Sequence, residues 1–205
     1  MKNNLSFICS FLLLSLGSLK AQDSSDYVNE ILKYQQEQNL EFADSAHSPL
    51  SEEDRKNFKE LDFFTIDSSF RVVAKFIRVD GEKPFKMATT TDRKPLYIKY
   101  GEAHFSLNGE AQVLSIYRSL RLVKMEAYKD YLFLPFKDLS NGIESYGGGR
   151  FIDLSIPEGD SIIIDFNKSY NPYCAYNARY SCPIPPEENN LEVEIRAGVK
   201  NYGKH

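Results

Sequence analysis

The feature that most constrains the fold is a series of short segments rich in β-branched and aromatic residues, separated by turn residues. Asn108-Gly109 is a strong two-residue hairpin signal, and Asp80-Gly81 ends another segment. The predicted strands are Arg71–Val79, Phe85–Thr89, Leu96–Tyr100, His104–Leu107, Gln112–Tyr117, Leu132–Pro135, Arg150–Leu154, Ser161–Phe166 and Glu192–Arg196. Strands and helices do not alternate, so we predict a mainly β domain over residues 67–205, an antiparallel β-sandwich or barrel.

Residues 22–66 have a different period and predict a helical N-terminal arm packed on this body. Tyr27, Ile31, Tyr34 and Gln38 fall on one helical face, after a cap at Ser25 or Asp26. A capping box at Ser51 predicts a short second helix through Phe58. The apolar cluster that would attach the arm to the body is Leu61, Phe63, Phe64 and Ile66.

The first 21 residues read as a signal peptide. Lys2 supplies the positive start, Leu5 to Leu16 is mostly apolar, and cleavage is expected near Ala21. Cys9 lies inside the apolar run rather than just after it, which argues against a lipoprotein anchor. We therefore expect an exported protein of the periplasm or extracellular space, with no membrane span.

The charge balance argues against nucleic acid as a partner. Loss of residues 1–21 removes two lysines and changes the formal charge from −4 to −6. Nucleic-acid affinity comes mainly from clustered Lys and Arg, which this chain does not show. The length suits one domain, and we expect a monomer.

Specialised polar residues concentrate in residues 147–198, where a polar cleft for a small ligand is predicted. The candidate ligand-binding residues are Arg150, Asp153, Asp165, Asn167, Tyr170 and Asn171. Asp153 and Asp165, with Arg150, are also candidate catalytic residues, since paired carboxylates can act as acid and base. The alternative, favoured about two to one for the carboxylates, is that they accept hydrogen bonds from loop amides.

Other features of this stretch also have two interpretations. Gly147-Gly148-Gly149 is more simply a tight turn than a phosphate loop. Arg150 would pair with Asp153, Glu144 or an anionic ligand, with an internal ion pair favoured. The tyrosines of the C-terminal half either line a cleft or pack around the cysteine loop; they are Tyr131, Tyr146, Tyr170, Tyr173, Tyr176 and Tyr180.

Two cysteines remain after export, Cys174 and Cys182, eight residues apart. In an oxidising compartment they predict a disulfide, which would contribute on the order of 2–3 kcal/mol. A metal site formed by the pair with His104 is a weaker alternative, because His104 has no other ligand at suitable spacing. No resident metal or other cofactor is predicted.

Several segments together resemble a known family. They are Leu134–Asp138, Glu144–Asp153, Asp165–Tyr176, Cys182–Asn189 and Ala197-Gly198. The chain resembles the bacterial and archaeal family of unknown function numbered 1684, with departures at Ser145, where Thr is usual, and Val199, where Glu is expected. The resemblance implies no activity. It does imply that members without export signals share the paired cysteines, so that a structural disulfide is not their whole explanation.

These observations favour a non-enzymatic periplasmic domain with a polar cleft for a small ligand or partner, because no complete catalytic constellation is present. The first alternative is a hydrolase or isomerase that uses Asp153, Asp165 and Arg150. The second is a metal-binding protein that uses the Cys pair.

Overall fold

The computed structural model describes the backbone of residues 8–203 and the side chains of residues 25–203. The predicted signal peptide, residues 1–21, lies outside the residues whose side chains are described. The helices are α1 (Ile8–Ala43) and α2 (Glu52–Asn57). The strands are β1 (Arg71–Arg78), β2 (Phe85–Lys86), β3 (Leu96–Leu107), β4 (Glu110–Ser119), β5 (Tyr131–Phe136), β6 (Arg150–Ser155) and β7 (Ser161–Asp165).

All seven strands belong to one antiparallel sheet that curls into a half-barrel. The strand order is β6-β5-β4-β3-β1-β7, and β2 pairs with β3 off this path. The prediction of a mainly β, antiparallel fold with an N-terminal helix is confirmed. The sandwich is not confirmed, since the strands of the described chain form a single sheet.

The predicted strands 96–100 and 104–107 are two halves of the single strand β3. Gly101 lies between them at a bulge in the pairing with β4. A Cβ atom at this position would lie 2.5 Å from the ring of Phe76 on β1, so the close approach of the two strands requires glycine. The hairpin signal next to it is confirmed, because Asn108 and Gly109 have φ values of 53° and 84°.

The predicted strand at 192–196 is wrong, because this segment forms no strand. Its backbone groups are satisfied in other ways: the amide of Ile195 donates to the Asp138 carboxylate at 3.0 Å, and the carbonyl of Val193 accepts from Leu139. A carboxylate and a loop amide therefore supply hydrogen bonds that a neighbouring strand would have supplied.

The N-terminal helices are positioned by caps and by a small apolar cluster. Ser51 caps α2 by accepting from the Asp54 amide at 3.1 Å, which confirms the N-cap of the predicted short helix. Asn39 of α1 accepts from the Leu61 amide at 2.7 Å, and Leu61 packs with Phe42. In the part of the chain described here, neither helix is long and apolar enough to cross a membrane.

Hydrophobic side chains cover both faces of the sheet. One face carries the main core, which contains side chains from β1 and from β3 to β7. Phe166, Leu191 and Ile195, from outside the strands, complete this core. The other face carries a second cluster, in which Phe133 of β5 and Phe151 of β6 have ring centroids 4.8 Å apart. The second face is the one that α1 partly covers.

A buried ion pair fixes the C-terminal segment against the sheet. Arg150 begins β6 and donates to Asp138 Oδ2 at 2.8 Å, and both side chains are fully buried. The guanidinium also donates to the backbone carbonyls of Ile195, at 2.6 Å, and Ala197. The strand register brings the pair together. Arg150 lies opposite Phe136 in the β5–β6 pairing, and Asp138 follows Phe136 by two residues.

We expect Arg150→Met to lower the free energy of unfolding by about 3–5 kcal/mol, because it leaves the Asp138 carboxylate buried without its cation. Arg196→Met is the matched control: Arg196 is 57% exposed in its pair with Glu144, so its loss should lower the stability far less than the loss of Arg150. Urea denaturation of the three proteins measures both changes. Equal losses in the two variants would contradict the structural role of Arg150.

Candidate functional site

A cavity of about 780 Å³ lies between α1, the two edge strands of the sheet and the segment around residues 170–183. β6 contributes Asp153 to its wall, β7 contributes Asp165, and α1 contributes Tyr34 and Glu41. Small-molecule sites in proteins have volumes of about 300–1,000 Å³, so this one is large enough for a small organic ligand.

Tyrosine is the most frequent residue in the wall of this cavity. The six lining tyrosines are Tyr34, Tyr97, Tyr131, Tyr170, Tyr173 and Tyr180. Four of them belong to the set from which the sequence predicted a cleft. The other two members of that set lie elsewhere: Tyr176 packs on Phe42 with ring centroids 4.7 Å apart, and the hydroxyl of Tyr146 lies 3.8 Å from the sulfur of Cys174.

Asp153 is the carboxylate around which the tyrosine hydroxyls converge. Tyr131 and Tyr170 both donate to its Oδ1, at 2.8 and 2.6 Å. The strand register explains the first contact, because Phe133 is opposite Asp153 and Tyr131 is its diagonal neighbour on the same face. A two-way backbone bridge between Phe151 and Tyr170 explains the second.

The surroundings of Asp153 favour its protonated form. Its side chain is accessible through the cavity, but the protein walls around it exclude much of the solvent, and burial raises the pKa of the carboxyl. The two tyrosine hydroxyls act in the opposite direction and only partly offset burial. Burial and the nearby Asp153 charge raise the pKa values of Tyr131 and Tyr170 well above their ordinary range, so both hydroxyls stay protonated donors.

Asp165 has a different role in the same wall. It accepts from the backbone amide of Asn167 at 3.0 Å and so caps the turn that follows β7. It also accepts from the Tyr27 hydroxyl of α1 and lies 4.0 Å from the guanidinium of Arg71. The interpretation of the carboxylates as acceptors for loop amides is confirmed for Asp165, whereas Asp153 accepts from side-chain hydroxyls.

The other predicted ligand-binding residues do not line the cavity. Arg150 is paired with Asp138, rather than with the proposed Asp153 or Glu144, and is closed off from solvent. Asn167 donates to the Asp67 carbonyl at 2.8 Å, and Asn171 donates to the Lys200 carbonyl at 2.9 Å. These two amides hold chain segments together. Of the six candidates, the structure brings together Asp153, Asp165 and Tyr170.

Only some of the charged side chains in the cavity wall lie beside a side chain of opposite charge. Lys168 pairs with Glu30 at 2.6 Å, and Arg71 lies beside Asp165. Glu41 accepts from the Tyr173 hydroxyl at 2.8 Å. Among the described residues, neither Glu41 nor Asp153 is in an ion pair.

The predicted disulfide is not present, since Cys174 and Cys182 are both free thiols. They are nevertheless neighbours: the Cys174 amide donates to the sulfur of Cys182 at 3.2 Å. The spacing correctly brings the two side chains together, but formation of the bond also needs an oxidant, which spacing does not supply. Cys182 lines the cavity.

Two other sequence features have structural roles. Gly147–149 belong to a turn closed by a hydrogen bond from the Gly149 amide to the Tyr146 carbonyl, and Gly149 has φ of 90°. His104 bonds to Glu102 at 3.0 Å. Within residues 25–203, no group of three or more His, Cys, Asp or Glu side chains is arranged to hold a metal ion.

Sequence reasoning missed the part of the wall that α1 supplies. The face that carries Tyr27, Tyr34 and Gln38 was identified, but not the surface on which it docks. The Tyr27 hydroxyl reaches Asp165, and the Tyr34 hydroxyl donates to the Lys168 carbonyl at 2.9 Å. Polar residues on an otherwise buried helical face were the available signal, since such groups need partners in the body.

The comparisons with known proteins give a family and a fold. The chain belongs to the family described as protein of unknown function, DUF1684, which matches residues 56–200. It is similar to an uncharacterised protein from Haloarcula marismortui, whose solution NMR structure shares 32% sequence identity with a TM-score of 0.68. The match covers 90% of this chain and 99% of the other. The comparison with curated proteins found no match.

We expect the unfolding free energy of Asp153→Asn, relative to that of the wild type, to increase as pH rises. The pKa of Asp153 is raised on folding, so between the unfolded value of about 3.9 and the raised value the folded state binds more protons than the unfolded state. Wild-type stability therefore falls with rising pH in this window, and the variant lacks that fall. Urea unfolding at several pH values between about 3 and 7 measures the difference.

The control for this prediction is Asp92→Asn, which removes an exposed carboxylate outside the cavity. A difference between Asp153→Asn and wild type that is the same at every pH would contradict the raised pKa.

Proposed function

We propose that this protein is a non-enzymatic binding domain that holds a small organic cation in the tyrosine-lined cavity. The observation that carries the proposal is the site of Asp153: a carboxyl bonded by two tyrosine hydroxyls, in a cavity, with no cation beside it among the described residues. A cationic group of the ligand would supply the missing partner.

The charge of the wall supports a cation rather than an anion. Four carboxylates line the cavity, against the two bases Arg71 and Lys168. Each base already faces an acid of the wall, Asp165 and Glu30 respectively. An anionic ligand would therefore meet no free base, whereas a cation would meet Asp153 and Glu41. Since burial raises the pKa of Asp153, a cation beside it is the partner that would favour its charged form.

The aromatic rings support the same ligand class. A cation within about 6 Å of a tyrosine ring is attracted by the electrons of its face, and this contributes about 0.5–2 kcal/mol. Tyr131 and Tyr170 are already positioned by their bonds to Asp153, so little side-chain freedom is lost when a ligand binds. The charged nitrogen of the ligand would contact Asp153 and the faces of the tyrosine rings beside it.

An enzyme is the second candidate, and one observation favours it. A carboxyl with a raised pKa in a cavity is a candidate general acid or base, and Asp153 meets that description. Arg150 takes no part in this version, because it is paired with Asp138. Asp165 is occupied as a turn cap, so Asp153 would be the acid or base, and a hydrolase or isomerase would need a further group from the ligand or solvent.

The test compares ligands of one shape and different charge. Benzylammonium, benzyl alcohol and benzoate are titrated into the protein, with binding measured by calorimetry and by the shift in melting temperature. We expect benzylammonium to bind and the neutral and anionic analogues to bind at least about tenfold more weakly, a difference of about 1.4 kcal/mol. Asp153→Asn should lose that preference.

The same Asp92→Asn variant, with its charge change outside the cavity, should bind benzylammonium as the wild type does. Equal binding of the three probes, or binding unaffected by Asp153→Asn, contradicts the cation site. Chemical conversion of a bound amine by the wild type, abolished in Asp153→Asn, would replace the binding function by the enzymatic one.

Export and a monomeric state belong to the same proposal. They rest on the apolar run of residues 1–21 and on the length of the chain. When the full chain is expressed in a bacterium, we expect a monomer in the periplasmic fraction with its N-terminus near Gln22. Retention in the cytoplasm with residues 1–21 intact would contradict export.

A further inference from the structure

Cys174 and Cys182 are held as a pair by two different backbone elements. Cys174 lies in a 3-10 turn, Tyr173–Ala175, that follows Pro172. Cys182 is fixed on both sides by Thr90: its amide donates to the Thr90 hydroxyl at 3.1 Å, and its carbonyl accepts from the Thr90 amide at 2.9 Å. The hydrogen bond from the Cys174 amide to the sulfur of Cys182 joins the two elements.

The two sulfurs differ in access and in their hydrogen bonds. Cys174 is half-buried, whereas Cys182 is 7% exposed. The Tyr146 hydroxyl lies 3.8 Å from the Cys174 sulfur, within hydrogen-bond reach. The more accessible sulfur is therefore the one open to an incoming disulfide, and the buried sulfur, which accepts from the Cys174 amide, is its neighbour. This is the arrangement of an attacking and a resolving thiol.

The protonation states agree with that geometry. Hydrogen bonding from the Cys182 thiol is the main cause that lowers the pKa of Cys174 to about 6, with a smaller contribution from Tyr146. The same contact raises the pKa of Cys182, which keeps its proton. Burial and the Cys174 charge raise the pKa of Tyr146 to about 12, so its hydroxyl remains a donor.

We infer that Cys174 and Cys182 form a redox-active dithiol that reacts reversibly with small disulfides, with Cys174 as the attacking and Cys182 as the resolving thiol. The inference does not rest on the proposed ligand of the cavity. It assigns thiol–disulfide exchange to a cysteine pair whose alternative role is a purely structural disulfide.

The reaction has two displacements. The Cys174 thiolate attacks one sulfur of a disulfide R–S–S–R; a mixed disulfide forms, the R–S–S–R bond breaks, and the first RS⁻ leaves and takes a proton from solvent. Cys182 then gives its proton to solvent and attacks the Cys174 sulfur, which releases the second RS⁻, protonated in turn. The protein loses two electrons to form the Cys174–Cys182 disulfide, and the reactant is reduced to two RSH.

The test uses the full chain with Cys9→Ser, so that two thiols remain. The pH dependence of alkylation by iodoacetamide is followed for each cysteine by peptide mass spectrometry. We expect Cys174 to react with a midpoint near pH 6, about 2.5 pH units below an ordinary thiol, and Cys182 to be slow throughout. The midpoint is the readout, because a less basic thiolate is also a weaker nucleophile and the rate near pH 7 changes little.

Three variants in the same background separate the roles. Cys182→Ala removes the main donor, so the Cys174 midpoint should rise towards about 8.5, and oxidised glutathione should stop at a mixed disulfide on Cys174. Tyr146→Phe should raise the midpoint by a smaller amount. Cys174→Ala should form no mixed disulfide on the same time scale. Unchanged unfolding midpoints in urea show that the variants are folded.

In mixtures of reduced and oxidised glutathione, the parent protein should interconvert between dithiol and internal disulfide. Three results would each overturn the inference: a Cys174 midpoint near pH 8.5, a mixed disulfide that Cys182 does not resolve, or an internal disulfide that resists every glutathione ratio. The last result is the behaviour of a structural disulfide.

Discussion

The buried pair of Asp138 and Arg150 is the interaction on which the rest of the structure depends. A charge this far from water needs an opposite charge and hydrogen-bond acceptors, and here they come from Asp138, two residues after β5, and from carbonyls of the C-terminal segment. Fixing that segment fixes what packs on it: the Phe64 amide donates to the Gly198 carbonyl, and the Val199 amide donates to the Ser169 carbonyl. The N-terminal arm and the wall around Tyr170 are therefore positioned through one ion pair.

The cavity follows from the incomplete closure of the sheet. A half-barrel has two free edges, and exposed edges invite pairing with other chains. β6 is covered where Phe151 bridges to Tyr170, and α1 reaches the end of β7 through the bond from Tyr27 to Asp165. The coverings come from separate parts of the chain and do not meet completely. The space between them is lined by polar residues of both edges, which explains why a site of this kind has no single sequence motif.

Local signals were enough to predict the local structure. The hairpin at Asn108-Gly109, the cap at Ser51 and all seven strands, β3 as two halves, could be found because turn chemistry and side-chain alternation act over a few residues. The partner of Arg150 could not be found in this way, since Asp138 is close only through the β5–β6 register. For the same reason, local patterns could predict neither the contact between Asp153 and Tyr131 nor the residues that α1 contributes to the cavity wall. Sequence proximity had grouped Arg150 with Asp153. The two residues are three apart on β6, however, so their side chains point to opposite faces of the sheet.

The segment from Tyr170 to Cys182 connects the two chemistries of the site. At one end, Tyr170 donates to Asp153; at the other, Cys182 lies in the cavity wall next to the Cys174 turn. A bond between the two sulfurs would constrain the same short backbone that carries Tyr173 and Tyr180 into the cavity. The shape of the cavity and the bonding state of the two sulfurs are thus both set by one segment.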